Sequence, residues 1–424
     1  MLERRKTADA DWRHGRSWSL VYYGGDEHDA FLKRAYDVFF SENGVSPTAF
    51  PSLARMEAEV VSMGLGLMQA GADGVGTMAS GGTESILLAM KSYRDKAHAQ
   101  GRTDETLEIL LPESAHPAFL KAANYFGLRA VPIRLGSDFR ADPEDASAKV
   151  TSRTICIAAS APCYPYGVVD PIGALSEVAL QHGIGLHVDA CLGGFILPFM
   201  RQLGYSVPDF DFRVPGVTSI SSDLHKNGYT AKGASLALYR TAELRSYQFF
   251  LTADWTGGLY GSPTMTGTRP GGAVAAAWAA MMRIGVDGYT DLTRRALGVA
   301  KRLTDGIKEI PGLFILGEPD MTVFAFGSDT HNIFSIARRL QAAGWRMDRQ
   351  QRPDCLHMIA TLNHEQSVEP FLRDLHRAVA DEQASPQPLE DDKYQMLYGV
   401  TSDIPAHMDP LDYMRQQMGE VYDL

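Results

Sequence analysis

Two lysines stand six positions apart in SISSDLHKNGYTAKGAS, residues 219–235, in a run of small and polar residues. Lys226 follows His225 directly, and Lys232 precedes Gly233. A lysine that a strand end delivers into such a loop can attack a carbonyl, because burial and nearby cations lower its pKa and free the amine. The other reading of each is a solvated loop lysine, which for a single lysine is the commoner case.

Three further stretches hold residues that could work with them. In MASGGTESILLAMKSY, residues 78–93, Gly81 and Gly82 precede a well-patterned helix, with Ser80 and Thr83 beside them. Backbone N–H groups freed at that helix start, with the two hydroxyls, would form a phosphate cradle favoured by the helix dipole. A plain capped helix start with Glu84 in its first turn explains the same residues. In GIGLHVDACLGGF, Asp189 closes an apolar run, where a parallel strand would deliver it to the ligand edge of a sheet. A carboxylate in so apolar a setting needs a cationic partner; its alternative role is to cap the next turn. In PESAHPAFLKAA, His116 follows another strand end, although a lone histidine is usually structural or exposed. Each signal is weak alone. In chain order, a cradle, a histidine, a strand-end aspartate and a loop lysine on one α/β sheet are the parts of a pyridoxal phosphate site: a Schiff-base lysine, a carboxylate for the pyridine nitrogen and a cradle for the phosphate.

The elements that must position them are short apolar runs separated by amphipathic helical patterns. LEILLP, RAVPIRL, RTICIAAS, GIGLHVDA, VTSISSDL and GASLALYR read as buried strands, and TESILLAMKSYRDKAHAQ, HPAFLKAANYFG and IGALSEVALQHG as the helices between them. That alternation predicts a mostly parallel sheet flanked by helices. Residues 1–70 read as an N-terminal arm and helical segment, 71–304 as a large cofactor-binding α/β domain, and 305–424 as a small C-terminal α+β domain. Within the last, DEQASPQPLEDDK (381–393) reads as an exposed loop.

The 424 residues are 45% hydrophobic and 21% charged, enough to build a sizeable core and unlike a disordered chain. A net charge of -11 with no basic stripe argues against a nucleic-acid partner. Cys156, Cys163, Cys191 and Cys355 form no CxxC pair and no metal-ligand spacing, so reduced thiols of a cytosolic protein and no metal are expected. The first residues lack the apolar core of a signal peptide. GGAVAAAWAAMMRIGV, residues 271–286, is too short for a membrane span and is broken by Arg283, so a buried helix is expected there.

With these residues in view, the chain resembles the fold-type I pyridoxal phosphate enzymes of the group II decarboxylase superfamily, and within them the sphingosine-1-phosphate lyases. The resemblance runs from VYYGGDE (21–27) to MLYGVTS (396–402) and is most specific in SGGTESILLAMKSYRD, SAHPAF, LHVDACLGGFILPFM, FDFRVPGVTSISSDLHKNGYTAKGAS and DWTGGLYGSPTMTGTRPGG. HVDACLGG and DWTGGLYGSPT favour the lyases over the amino-acid decarboxylases. The resemblance implies Lys226 as the Schiff-base lysine and Asp189 as the partner of the pyridinium nitrogen. It implies His116 stacked on one face of the ring and Cys191 against the other, where related decarboxylases have alanine. Gly81, Gly82, Thr83 and His225 would hold the cofactor phosphate. Lys232 would lie near the substrate phosphate or assist the chemistry, and Tyr22, Tyr260 and Tyr398 would line the substrate site. Ser262 and Thr264 would reach the cofactor phosphate of the other subunit in a homodimer with shared active sites.

The reaction so implied is retro-aldol cleavage of a phosphorylated sphingoid base at C2–C3, through an external aldimine, to a fatty aldehyde and phosphoethanolamine. An anionic head group entering an acidic protein needs local cations, for which Lys232 and Arg269 are candidates. An amino-acid decarboxylase on the same scaffold is the alternative. A non-catalytic pyridoxal phosphate binder is a third, against which the joint presence of Lys226, Asp189 and His116 weighs. The eukaryotic lyases' N-terminal membrane helix has no counterpart here, which implies a soluble, cytoplasmic, bacterial-type enzyme. Ser46 in VSPTAFP and Tyr166 in YPYG stand where the family has histidine, a departure that touches the substrate shell.

Overall fold

The structure is a computed structural model and describes residues 9–386 and 409–422. It divides into two compact units, Tyr22–Arg295 and the residues on either side of that span.

The Tyr22–Arg295 unit begins with two helices, α1 (Asp26–Val38) and α2 (Pro51–Leu67). Strands β1 (Val75–Ala79), β2 (Glu108–Pro112), β3 (Arg129–Ile133), β4 (Thr154–Ser160), β5 (Gly185–Asp189), β6 (Val217–Asp223) and β7 (Ser235–Tyr239) follow. Between them lie helices α3 (Gly82–Ala99), α4 (Ala118–Phe126), α5 (Pro143–Lys149), α6 (Ile172–His182) and α7 (Leu197–Gln202). The strands form one sheet in the order β1-β7-β6-β5-β4-β2-β3. From β6 to β3 every pairing is parallel, and β7 alone runs against its neighbours β6 and β1. Every residue of β2 and β4 is buried, as expected of strands covered on both faces. α6 stops at Gly183, whose φ of 63° lies in the left-handed region that glycine enters without strain.

Register decides which residues share the sheet's ligand edge. Ala79 and Asp223 both lie opposite Ser235, and Asp189 lies opposite Ser160 on one side and Ser221 on the other. The ends of β1, β4, β5 and β6 therefore meet at one edge, where open α/β sheets bind ligands. β1 is a strand the apolar pattern did not announce, because VGTMA is short and carries a glycine.

The unit also contains α8 (Ala242–Ser246) and a hairpin of β8 (Phe250–Thr252) and β9 (Tyr260–Ser262). The alanine-rich run 271–286 opens α9 (Gly271–Lys308), with Ala273, Ala276, Ala277 and Ala280 buried as expected of a core helix. The helix is broken at Gly285, where φ is 59°.

In the other unit, β10 (Leu313–Ile315), β11 (Val323–Ser328), β12 (Asp348–Gln350) and β13 (Cys355–Ile359) pair antiparallel in the order β10-β11-β13-β12. α10 (Ile333–Ala342) and α11 (Val368–Ala384) accompany them, and α12 (Pro410–Tyr422) follows. Trp18 is stacked 4.4 Å from His364 and 5.7 Å from Trp345, within a core that includes Phe324, Phe326 and Phe371. α11 runs through Ala384, so residues 381–384 are helical and not part of a loop. The reason is Glu382, which is buried, accepts from the Ser335 hydroxyl and pairs with Arg339 at 3.2 Å. Among the described residues, no helix is long and apolar enough to cross a membrane.

Candidate active site

The loop between β6 and β7 is fixed by contacts from several elements. Asn227 donates to the carbonyl of Leu192 at 2.8 Å, and the Tyr289 hydroxyl to that of Gly228 at 2.9 Å. His28 Nε2 meets the carbonyl of Tyr229 at 2.7 Å. The N–H of Ala234 donates to Nδ1 of His225 at 3.2 Å, which leaves the neutral ring's proton on Nε2. Burial, with Lys232 and Lys226 adding to it against the pull of Asp223, lowers the His225 pKa to about 4.

The two lysines of this loop are set oppositely. Nζ of Lys226 lies 2.9 Å from Oδ2 of Asp223 at the end of β6. Burial alone would lower the Lys226 pKa, but Asp223, assisted by Asp189, raises it well above the ordinary lysine value. Burial would raise the pKa of Asp223, yet Lys226 and His225 bring it below the usual carboxylate range. Nζ of Lys232 instead donates to the carbonyl of His225 at 3.0 Å. Lys232 is an exposed residue, yet desolvation and then repulsion from Lys226 lower its pKa to about 8. The depressed pKa that sequence reasoning attaches to a catalytic lysine is thus found at Lys232 and reversed at Lys226.

Asp189 ends β5, buried, and accepts the N–H of Cys191 at 3.0 Å. The ammonium expected beside this carboxylate is paired with Asp223, a residue that sequence reasoning passed over. Its one signal was its place three residues before Lys226, at the close of an apolar run. Nδ1 of His116 accepts the N–H of Ala118 at 3.1 Å. Burial lowers the His116 pKa, with Asp189 and Asp223 opposing and Lys226 adding to the effect. The Cys191 thiol is held protonated by burial, reinforced by Asp189 and Asp223.

The SGGTES turn packs directly against these groups. A Cβ on Gly82 would stand 2.9 Å from both Oδ2 of Asp223 and Sγ of Cys191, and one on Gly81 would stand 3.2 Å from His225 Cε1. Glycine is required there by close approach. Gly82 and Thr83 open α3, whose first N–H groups have no intrahelical acceptor. Buried Glu84 reaches back to the N–H of Ser80 at 2.6 Å and accepts that of Met265 at 2.9 Å. The arrangement offers an anion a helix N-terminus, and Nε2 of His225 beside it lies 3.6 Å from Oδ2 of Asp223.

Tyr22 joins this cluster, its ring centre 5.3 Å from Nζ of Lys232. It also borders a cleft of about 230 Å³ together with Tyr23, His28, Tyr36, Tyr229 and Thr230. Tyr260 and Ser262 stand on the β8–β9 hairpin, Tyr260 packed 5.9 Å from Trp255. Ser262 and Thr264 bond locally, to the carbonyls of Thr264 and Thr266. Arg269, the second cation expected to meet a head group, pairs with Glu57 at 2.5 Å and donates to the carbonyl of Gly44. Ser46 caps a local turn, donating or accepting with Thr48 at 3.2 Å, and Tyr166 is buried with its ring 4.4 Å from that of Phe139. Tyr398 lies outside the described residues.

Residues 37–328 match the pyridoxal-dependent decarboxylase conserved domain. Over 412 residues the chain is 43% identical to a sphingosine-1-phosphate lyase of Oryza sativa subsp. japonica, covering 95% of this chain and 76% of that protein. The chain belongs to the sphingosine-1-phosphate lyase family. A solved structure of the sphingosine-1-phosphate lyase of Burkholderia pseudomallei matches with a TM-score of 0.85 at 41% identity, covering 90% of this chain and 89% of that one. An L-aspartate decarboxylase of Thermococcus kodakarensis is also similar, 37% identical over 321 residues, 76% of this chain and 81% of that protein. The cofactor is pyridoxal 5'-phosphate. The residues present fit it: a cradle that a single Cβ would fill, a lysine within the same cluster, and a buried carboxylate, Asp189, without an ammonium partner among the described residues.

Proposed function

We propose that this protein cleaves sphingosine 1-phosphate, or its dihydro form, at C2–C3, releasing a long-chain fatty aldehyde and phosphoethanolamine. What carries the reading is the pair of lysines in one cluster, one ion-paired with Asp223 and the other donating to a backbone carbonyl, in a chain 43% identical to a lyase of that name. When bound, pyridoxal phosphate supplies an electron sink for the pair left at C2 by the broken bond. Lys226 is the residue that bonds it. Asp189 keeps the pyridine nitrogen protonated, and His116 and Cys191 take the two faces of the ring. Gly81, Gly82 and Thr83, at the start of α3, hold the phosphate together with His225 Nε2–H. Lys232 and Tyr22 serve the substrate. Lys232 binds the substrate's phosphate or takes the proton of the C3 hydroxyl, for which a pKa of about 8 suits it.

The enzyme on this reading is a soluble, cytoplasmic homodimer. The β8–β9 hairpin exposes Phe250, Leu251, Trp255 and Leu259, a surface fitted to a second copy. That copy supplies Tyr260 and Ser262 to this site, and Tyr398 completes the substrate lining. The described cysteines are all free and buried, as suits a reducing compartment.

Similarity to the L-aspartate decarboxylase supports a second reading, release of carbon dioxide from an amino acid on the same scaffold. Purified protein incubated with dihydrosphingosine 1-phosphate should yield long-chain aldehyde and phosphoethanolamine. Carbon dioxide from an amino acid, with no aldehyde from the lipid, would replace the lyase reading with the decarboxylase one.

A further inference from the structure

Asp223 is a buried carboxylate that the chemistry above leaves without a task. It is 2% exposed, and its Oδ2 faces Nζ of Lys226 at 2.9 Å. Its Oδ1 has no hydrogen-bond partner among the described residues. The nearby Ser235 hydroxyl favours the carboxylate's charged form but is directed to Ser85 Oγ and the carbonyl of Ser222. A carboxylate buried in this way is costly unless a neighbouring charge offsets its desolvation, so each member of the pair fixes the ionisation of the other. The absence of a side chain at Gly82 is what admits it, since a Cβ there would lie 2.9 Å from Oδ2.

Resting on the assignment of Lys226 as the cofactor lysine, we propose that Asp223 is the positioning residue that keeps Lys226 an ammonium whenever it is not bonded to cofactor. Other groups face Lys226 from several elements. Cys191 and Asp189 come from the end of β5, His116 from the segment after β2, and Tyr22 from the residues before α1. His225 and Lys232 come from its own loop. Of the anions, Asp223 acts on it most strongly. A charged lysine cannot attack a carbonyl, so Asp223 sets the pH at which this one becomes a nucleophile. Once a substrate amine has displaced it, the same pairing keeps it a proton donor held at the site and stops it competing with that amine. Lys232 has no such partner among the described residues, which divides the labour between the two.

The test uses cofactor-free protein and needs no turnover. Brief labelling with acetic anhydride across a pH series, read by mass spectrometry at the peptide carrying Lys226, reports its neutral fraction. Asp223→Asn should label Lys226 at least about tenfold faster than wild type near pH 8, since loss of the counter-ion lowers its pKa by more than about one unit. Equal labelling profiles would overturn the proposal. Pyridoxamine phosphate, which has the ring and phosphate but forms no bond to lysine, should bind both proteins alike, showing that the variant keeps its site. Should Asp223→Asn not fold, Lys226→Met supplies the converse test. It leaves Asp223 buried with no ammonium beside it and only Nε2 of the neutral His225 ring 3.6 Å away, and adding Asp223→Asn should then raise thermal stability. A double variant no more stable than Lys226→Met would also overturn the pairing. If the labelling shift is found but pyridoxal phosphate never bonds Lys226, the cofactor assignment fails and the role of Asp223 stands.

Discussion

The ammonium of Lys232 lies 5.3 Å from the centre of the Tyr22 ring, and its hydrogen bond goes to the carbonyl of His225. A cation so placed keeps its charge available to a ligand, and its pKa of about 8 lets it give up a proton near neutrality. Lys232→Met should keep the visible absorbance of the cofactor–lysine bond and lower kcat about 10²- to 10⁴-fold, the usual worth of a general base. Full activity would remove Lys232 from the site.

The pH profile separates its two possible tasks. If Lys232 takes the C3 hydroxyl proton, kcat rises as pH passes about 8, where the neutral amine forms. If it holds the substrate phosphate, KM rises over the same interval because the ammonium is lost. Steady-state kinetics between about pH 7 and 9.5 measure both, and Lys232→Arg, which stays charged throughout, should abolish whichever limb is present.

Gly82→Ala tests the close approach at the cradle. The added methyl would fall 2.9 Å from Asp223 Oδ2 and Cys191 Sγ, so the turn must shift. Such overpacking costs about 1–3 kcal/mol. Thermal unfolding should show the loss, and a cofactor titration should show weakened binding of pyridoxal phosphate.

Acid should unfold the protein through its buried neutral histidines. Burial lowers the pKa values of His187, His225 and His364 to about 4. Their unfolded values are about 6.5. The unfolded chain therefore binds more protons between those limits, so the stability they confer is full above about pH 6.5 and is lost as pH falls towards 4. His187 is fully buried, with Nδ1 2.7 Å from Ser219 Oγ and Nε2 3.2 Å from Ser221 Oγ. His187→Gln should flatten the fall of Tm over that interval, whatever its effect at neutral pH.

The proposed homodimer, with Tyr260 supplied across to the second copy's site, predicts complementation. Lys226→Ala and Tyr260→Ala should each be inactive alone. Mixed and allowed to exchange subunits, they should recover activity, because one site of the heterodimer then holds both an intact Lys226 and an intact Tyr260. No recovery from a mixture shown to exchange would place Tyr260 in its own chain's site or in none.

Much of the fold was legible in the chain because burial on both faces of a sheet demands continuous apolar runs, and those mark β2 and β4 to β7 plainly, whereas β3, at the sheet's edge, keeps only Ile133 buried. β1 escaped because VGTMA owes its strand character to pairing with β7 and not to its own pattern. Residues 381–384 were misread because a buried Glu382 looks polar in sequence, and only Ser335 and Arg339 make its burial tolerable. Arg269 likewise carries no sign in sequence of its counter-ion, because Glu57 lies more than two hundred residues earlier.

The sequence by itself determined which side chains could do chemistry and in what order the elements carry them: two lysines, a strand-end carboxylate, a histidine and a glycine cradle. Only the tertiary structure decided how those groups are charged. Asp223 and Lys226 are near in sequence, yet their pairing depends on β6 ending beside Gly82 and Cys191, where Asp223 is buried and Lys226 half-buried. Lys232 differs from Lys226 only in what lies around its ammonium. Coulombic attraction falls with distance through space and strengthens as solvent is removed. Neither quantity is written in the chain, and together they make one lysine an acid and leave the other able to act as a base.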